Sequence, residues 1–267
     1  MGLRLLFLGD IVGRPGRKAV AGLLPKWREE ARFDLVVANG ENAAGGVGLT
    51  PPIAEELWRV GVDVLTSGNH IWSKKEIVPL LDQDDRPLLR PANYPPGTPG
   101  RGVHVVMAAG RWPVGIINLQ GRTFMDPIDS PFRIADQCLG TMPDDVRVIL
   151  VDFHAEATSE KVALGWYLNG RVSAVIGTHT HIPTADERIL PGGTAYLTDA
   201  GMCGPLDSVL GVETEIILRG FVTQLPVRHE IARTGPTVVS GAEIEVDPDS
   251  GKALSIRRVY EIVPVSS

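Results

Sequence analysis

Along the first eighty residues, short apolar runs alternate with longer stretches of helical spacing. Residues 3–8 form an apolar run, as in a strand buried on both faces. A turn with Gly13, Pro15 and Gly16 follows, then a helical pattern through about residue 30. Residues 34–38 read as a second buried strand. Thr50 sits as an N-cap with Pro51 at the first helical position, opening a helix to about residue 60. Residues 62–66 read as a third strand, and Ser73-Lys74-Lys75-Glu76 fits a capping box that would start another helix. Such strand–helix alternation predicts parallel βαβ units.

The middle of the chain breaks this rhythm. Residues 87–102 hold five prolines and three glycines, the composition of an irregular lid or an oligomer contact. Strands are predicted at 103–108 and 113–119. Residues 120–133 read as a polar connection carrying Arg122, Asp126, Asp129 and Arg133. Residues 146–153 and 172–176 again look like buried strands, with a helix over 158–168 between them. Beyond Thr194 the pattern shifts to strands, with a Gly-rich turn from Gly201 to Pro205. With no internal repeat or low-complexity linker, the expectation is a single domain over 1–267, with a small auxiliary or lid region drawn from 87–102 and 120–133.

Composition narrows the function classes. Hydrophobic residues make up 43% and charged residues 22% of the 267, ordinary for a globular protein. A formal net charge of −6 gives no global basic field, so long duplex nucleic acid is not an expected partner, although a local positive pocket stays open. Cys138 and Cys203 do not form a metal-spacing pair and read as free thiols in a reducing cytoplasm. The N-terminal apolar run is short and ends at Asp10, which suits a buried strand and not a signal peptide. No run approaches the ~18 apolar residues of a membrane helix. The expected location is cytoplasmic, with no membrane partner.

Five strand-end stretches carry the candidate chemistry: Gly9-Asp10, Asn39-Gly40-Glu41-Asn42, Gly68-Asn69-His70, Asp152-Phe153-His154 and Gly177-Thr178-His179-Thr180-His181. Each places an oxygen or imidazole donor in the turn after an apolar strand, where open α/β sheets put their ligands. Four of the six histidines fall in this set. Alone, Asp10 could be a helix cap, Asn42 a turn residue and His154 a hydrogen-bonded core histidine. Glu41, driven to the end of an apolar strand, calls for a cation or base to neutralise it. On an extended segment His179 and His181 would point the same way and face one site. Hard oxygen donors mixed with imidazoles suit Mn, Fe or Zn rather than a thiolate cluster.

These stretches together resemble the calcineurin-type metallophosphoesterases, whose pattern is an Asp after the first strand, a second acid, Gly-Asn-His, a lone His and Gly-His-x-His. The resemblance is closer still to the YmdB-like branch, in Asn-Gly-Glu-Asn, in Gly-Asn-His and in Gly-Thr-His-Thr-His-Ile-Pro, and it extends to residues 90–95 and 198–204. The wider superfamily begins Asp-x-His and bridges its metals with Asp; here Asp10-Ile11-Val12 and Glu41 stand instead, as in the YmdB-like branch, where Asn42 can take the vacant ligand position.

The resemblance implies a four-layer α/β/β/α sandwich of two mixed sheets flanked by helices. It implies one ion held by Asp10, Glu41, Asn42 and His181 and another by Glu41, Asn69, His154 and His179, with Glu41 bridging. His70, beside a ligand but not itself one, would be the general acid. The ions would be Mn or Fe, with Zn also compatible. The reaction would be hydrolysis of small phosphodiesters, such as 2′,3′-cyclic AMP, by attack of a metal-bound hydroxide. Two other readings use the same residues: a phosphomonoesterase or nucleotidase, and a non-catalytic metal-dependent nucleotide-binding signalling protein.

Other motifs fail or stay minor. Gly9 to Gly16 lacks the spacing of a dinucleotide loop, Gly40 to Gly48 lacks the Gly-Lys-Ser/Thr of a P-loop, and there is no G-x-S-x-G. His104 and His229 lie outside the constellation, and Cys203 reads as a loop residue. Arg14, Arg17 and Lys18, near the start of the first helix, either help hold a phosphate there or form a solvated face. Arg122 and Arg133 are weaker candidates for the same task.

Overall fold

The computed structural model describes residues 2–30 and 32–264. The first half runs β1 (Leu3–Leu8), β2 (Asp10–Ile11), α1 (Gly13–Glu29), β3 (Leu35–Asn39), α2 (Pro51–Arg59), β4 (Val64–Thr66), the short α3 (Val78–Leu81) and the hairpin β5 (Val103–Ala108) and β6 (Trp112–Gln120). The second half runs α4 (Pro131–Gly140), β7 (Val148–His154), α5 (Thr158–Tyr167), β8 (Ala174–Thr178), β9 (Arg188–Ile189), β10 (Ala195–Leu197), β11 (Met202–Pro205), α6 (Thr214–Thr223), β12 (Thr237–Val246) and β13 (Ala253–Val263).

These strands make two mixed sheets. One has the order β2-β11-β12-β1-β3-β4 with β13 on β12; the other has the order β5-β6-β7-β8-β10-β9. In the first, β1, β3 and β4 are parallel. In the second, β6, β7, β8 and β10 are parallel.

The apolar runs are nearly continuous, interrupted by Arg4 in β1 and Asp152 in β7, because each central strand faces two cores. In β1, Leu3, Leu5 and Phe7 enter the core between the sheets, while Leu6 and Leu8 pack under α1 and α2. In β7, Val148 and Leu150 enter the same inter-sheet core, while Ile149, Val151 and Phe153 pack under α4 and α5. Period-two alternation therefore stacks helices, sheet, sheet and helices in four layers. All the parallel strands end on one side, and there the carboxyl ends of both sheets converge.

One local expectation needs correction. Ser73-Lys74-Lys75-Glu76 does not cap a helix: two 3₁₀ turns cover Ile71–Ser73 and Lys75–Ile77, and Lys74 caps the second with no side-chain hydrogen bond. Pro79 sits at the start of α3, and only four residues there become α-helical. Thr50 does occupy the N-cap of α2, yet its hydroxyl makes no capping bond.

Two helices also appear where none was expected. α4 buries Ile134, Ala135 and Cys138, a helical stripe that the charges of residues 120–133 obscure. α6 lies where the pattern after Thr194 pointed to strands. Its Ile216, Ile217, Phe221 and Val222 favour strand locally, but the segment buries no residue against a sheet and coils on the surface.

Segment 87–102 folds around Arg90, whose guanidinium donates to the carbonyls of Pro91, Thr98 and Pro99. Among the described residues no helix is long and apolar enough to cross a membrane.

Candidate dinuclear metal centre

Each candidate donor hangs from the carboxyl end of a strand. β1 leads through Gly9 to Asp10 at the start of β2, β3 delivers Glu41 and Asn42, β4 delivers Asn69 and His70, β7 ends on His154, and β8 leads into His179 and His181. Asp10, Glu41 and His154 are fully buried.

His154 is the hub. Its Nε2 lies 3.1 Å from Glu41 Oε1, 3.0 Å from Asn69 Oδ1 and 3.0 Å from His179 Nδ1. Glu41, His154 and His179 bring donor atoms within 4.8 Å of one another. On the other flank of Glu41, Asn42 Nδ2 lies 3.3 Å from Glu41 Oε1 and 3.1 Å from His181 Nε2, and Asp10 Oδ1 lies 4.0 Å from His181 Nε2. The donors thus fall into two groups that share Glu41. His70 stands at the rim: its backbone N–H donates to Glu41 Oε2 at 3.0 Å, while its half-buried imidazole makes no hydrogen bond.

Two observations show that this donor set fits cations. First, Asp10 Oδ2 accepts the backbone N–H of His179, but Asp10 Oδ1 is buried with no hydrogen-bond partner. An acceptor orphaned in this way costs roughly 1–3 kcal/mol unless something positive meets it. Second, each of the three imidazoles turns one nitrogen inward and has the other held from outside, the arrangement that fixes ligating histidines. His154 Nδ1 faces Thr178 Oγ1, which donates to Asp152 Oδ1. His179 Nε2 faces Glu156 Oε2 at 3.1 Å, and His181 Nδ1 donates to the Leu210 carbonyl at 3.1 Å. The Asn42 amide nitrogen faces both neighbours; the opposite flip of the amide turns its oxygen inward.

The floor below ties the sheets together. Asn39 Nδ2 donates to Asp152 Oδ2 at 3.0 Å, and Asn39 Oδ1 accepts the Glu41 backbone N–H. Asn118 on β6 exchanges both amide bonds with the backbone of Ser67, which fixes the turn that carries Asn69 and His70. Glycine is required at position 68, because a Cβ there would come within 2.1 Å of His154 Cδ2 and 2.4 Å of Glu41 Oε2.

His179 and His181 converge for a different reason from the one their spacing suggested. β8 ends at Thr178, and both histidines have positive φ, 101° and 65°, so they do not lie on an extended segment. Such backbone costs on the order of 1–3 kcal/mol per residue and persists only when its surroundings fix it. Here the fixing group is a buried ion pair. Lys161 Nζ donates to Asp199 Oδ2 at 2.6 Å, and the same oxygen accepts the Thr180 N–H and hydroxyl between the two histidines.

Lys161, Asp199, Asn39, Asp152, Thr178 and Glu156 were not singled out from sequence. Asp199, Asn39, Asp152 and Thr178 lie inside the stretches that carry the resemblance, but nothing in their spacing shows that they touch. Cys203 is fully buried in β11, not in a turn, and its thiol donates to the Ser240 carbonyl; burial pushes that thiol up to about 12.

The charges of the metal-free site are strongly shifted. Burial raises Asp10. Burial also works against the Glu41 carboxylate, but the charge and hydrogen bond of His154 outweigh it and bring Glu41 down to about 2. Burial opposes the His154 cation, yet Glu41 and Asp10 raise it from 6.5 to about 9. Burial and the neighbouring His154 charge lower His179 to about 3. A His154 proton thus supplies part of the positive charge that the buried carboxylates call for.

Because His154 is raised on folding, its contribution to stability is complete below pH 6.5 and is lost as pH rises through about 9. The depressed His179 adds no opposing change above 6.5. Thermal unfolding of metal-free protein should therefore show a Tm that falls between pH 6.5 and 9, and a metal-loaded sample should be flatter. Equal slopes in the two samples would break the link between this proton and the ions.

A family model described as "YmdB-like protein" matches residues 6–259. The 2′,3′-cyclic-nucleotide 2′-phosphodiesterase of Bacillus subtilis (strain 168) is 51% identical over 257 residues, covering 96% of this chain and 96% of that protein. The crystal structure of a hypothetical protein from Thermus thermophilus superposes with a TM-score of 0.91 at 44% identity, over 98% of this chain and 100% of that one. That of a novel phosphatase from Mycoplasma pneumoniae gives a TM-score of 0.91 at 32% identity, over 99% and 95%.

Proposed function

From the premise that this chain belongs to the YmdB-like family, we propose that it hydrolyses 2′,3′-cyclic nucleotides at the P–O2′ bond, leaving a 3′-phosphate. The observation that carries this reading is the shared Glu41: two groups of buried donors meet on one carboxylate, a layout suited to two ions that clamp the attacking and leaving oxygens.

Asp10, Glu41, Asn42 and His181 would hold one ion, and Glu41, Asn69, His154 and His179 the other. Mn and Fe suit this mixture of carboxylate, amide and imidazole, and Zn is compatible. When bound, such ions supply Lewis acidity toward phosphoryl oxygens and make water a stronger acid.

The protein supplies the remainder. Thr178, Glu156 and Leu210 hold the outer nitrogens of the three imidazoles, so the inward lone pairs are aimed before any substrate arrives. His70 reaches the site from the rim with an uncommitted imidazole and would donate a proton to O2′ as the P–O2′ bond breaks. The substrate is a small phosphodiester.

The test uses metal-stripped protein with Mn²⁺ restored or withheld, assayed on 2′,3′-cyclic AMP, bis-p-nitrophenyl phosphate and p-nitrophenyl phosphate. The expected result is Mn-dependent cleavage of both diesters over the monoester, with 3′-AMP as the nucleotide product. Faster cleavage of the monoester would transfer the assignment to a phosphomonoesterase. Two bound ions with no cleavage of any substrate would point to a binding or signalling protein.

A further inference from the structure

A second feature lies beside the proposed centre. A cavity of about 830 Å³ opens at the start of α1, and Arg14, Lys18, Arg228 and Arg233 line it, with Glu230 as the only carboxylate on its wall among the described residues. Its size falls within the range of small-ligand sites, roughly 300–1,000 Å³. Among the described residues, the four cationic side chains have neither an ion-pair nor a hydrogen-bond partner. Arg17, on the same helix, shows the alternative: it is bound to Glu56 and to the Ala43 carbonyl, away from the cavity.

Four exposed cations without an ion-pair partner among the described residues converge on one cavity and make a local positive patch, in a chain of net charge −6, that attracts anions. The cavity wall is linked to the metal centre through one intervening layer of residues. The Asn42 carbonyl accepts the N–H groups of Gly13 and Gly46, and a Cβ on either glycine would meet Ile231, which lines the cavity, at 3.1 and 2.5 Å. On the other side, the Ala232 N–H donates to Gly211, next to the Leu210 carbonyl that orients His181.

We propose that this cavity is an anion subsite for the backbone phosphates of a short single-stranded oligoribonucleotide whose 3′ end carries the cyclic phosphate. The inference rests on the phosphodiesterase reading above and extends its substrate class from free nucleotides to RNA ends. The terminal nucleotide enters the metal centre, and the phosphates on its 5′ side lie along Arg14, Lys18, Arg228 and Arg233. The covalent step is unchanged: water oxygen bonds to phosphorus, the P–O2′ bond breaks, O2′ takes up a proton and a 3′-phosphate remains. The terminal nucleotide must be unpaired to reach buried donors, which favours single strands over duplex. The wall offers charge and aliphatic surface with one imidazole, His229, and one hydroxyl, Thr237, but no Asn or Gln among its described residues to read base edges, so sequence preference is weak.

The test compares Mn-loaded wild-type protein with an Arg228→Ala/Arg233→Ala variant and an Arg14→Ala/Lys18→Ala variant. The substrates are 2′,3′-cyclic AMP and an adenylate tetramer ending in a 2′,3′-cyclic phosphate. In the wild type the tetramer's kcat/KM should exceed that of the mononucleotide by about tenfold at low salt. With three phosphates engaged it should fall with a log–log salt slope of about −2. Both variants should lose the advantage, with mononucleotide turnover changed less than about twofold. Equal kcat/KM for the two wild-type substrates, or an advantage that survives in both variants, would overturn the proposal. If wild-type protein does not cleave 2′,3′-cyclic AMP, it is the phosphodiesterase reading that fails. Fluorescence anisotropy with a labelled tetramer ending in a 3′-phosphate then decides the cavity alone: binding lost in the variants supports it, and identical binding in all three proteins rejects it.

Discussion

Glu41→Gln should empty both ion positions and bring diester hydrolysis to background. The substitution keeps the shape of the side chain and removes one negative charge. That charge is the one element common to both donor groups: Oε1 lies 3.1 Å from His154 Nε2 and 3.3 Å from Asn42 Nδ2, and Oε2 accepts the His70 N–H. An amide in its place has one acceptor oxygen where the carboxylate has two, and its NH₂ would face the His154 nitrogen or the His70 N–H, both unfavourable when that nitrogen is also a donor.

The remaining buried acid, Asp10, is assigned to one ion only, although its Oδ1 also lies 3.8 Å from His154 Nδ1. Elemental analysis of purified variant should therefore show both ions lost, not one, while circular dichroism keeps the wild-type fold. Retention of two ions would remove Glu41 from the bridging position. Retention of one would mean that the two positions are independent, with Asp10 sufficient for its own. The metal-free variant should also lose part of the alkaline-sensitive stability, because the carboxylate that raises His154 is gone.

The four layers were expected from the family resemblance; the strand pattern itself showed only that the central strands are largely apolar on both faces. Leu5 and Phe7 face one core, and Leu6 and Leu8 face another. The donors were legible because each follows such a run directly. Less visible was whatever depends on residues distant in sequence. Lys161 reads as one more charge in the helix over 158–168. Only the fold reveals that it is fully buried against Asp199, 38 positions away, and that this pair anchors Thr180 between the two ligating candidates.

The His179–His181 spacing illustrates the same limit. A period-two argument presumes an extended backbone, and the positive φ of both residues is set by the Asp199 anchor rather than by their own sequence. Local capping signals also yielded to context. Ser73 has the chemistry of a cap, but the chain there is already turning through 3₁₀ geometry from His70 onward. α6 has strand-favouring residues but buries none of them against a sheet.

His70→Ala should leave both ions in place and slow hydrolysis of 2′,3′-cyclic AMP by about 10²–10⁴-fold, the usual contribution of a positioned acid. The bond that His70 makes to Glu41 comes from its backbone N–H, which alanine keeps. Its imidazole makes no hydrogen bond in the metal-free site, so removing it withdraws no support from the donor set. On the proposed role, what it would withdraw is a proton for the leaving oxygen.

The leaving group then becomes the discriminating variable. O2′ of a ribose departs as a strongly basic alkoxide and needs that proton. A p-nitrophenolate is a weak base and leaves without one. The deficit should accordingly be large for 2′,3′-cyclic AMP and small for bis-p-nitrophenyl phosphate, in the same protein with the same ion content. An equal deficit on both substrates would exclude His70 as the acid and make it a residue that orients the phosphoryl group. Loss of the ions would make it a ligand or a support for one. Only the split between leaving groups, with ions retained, assigns the proton to this side chain.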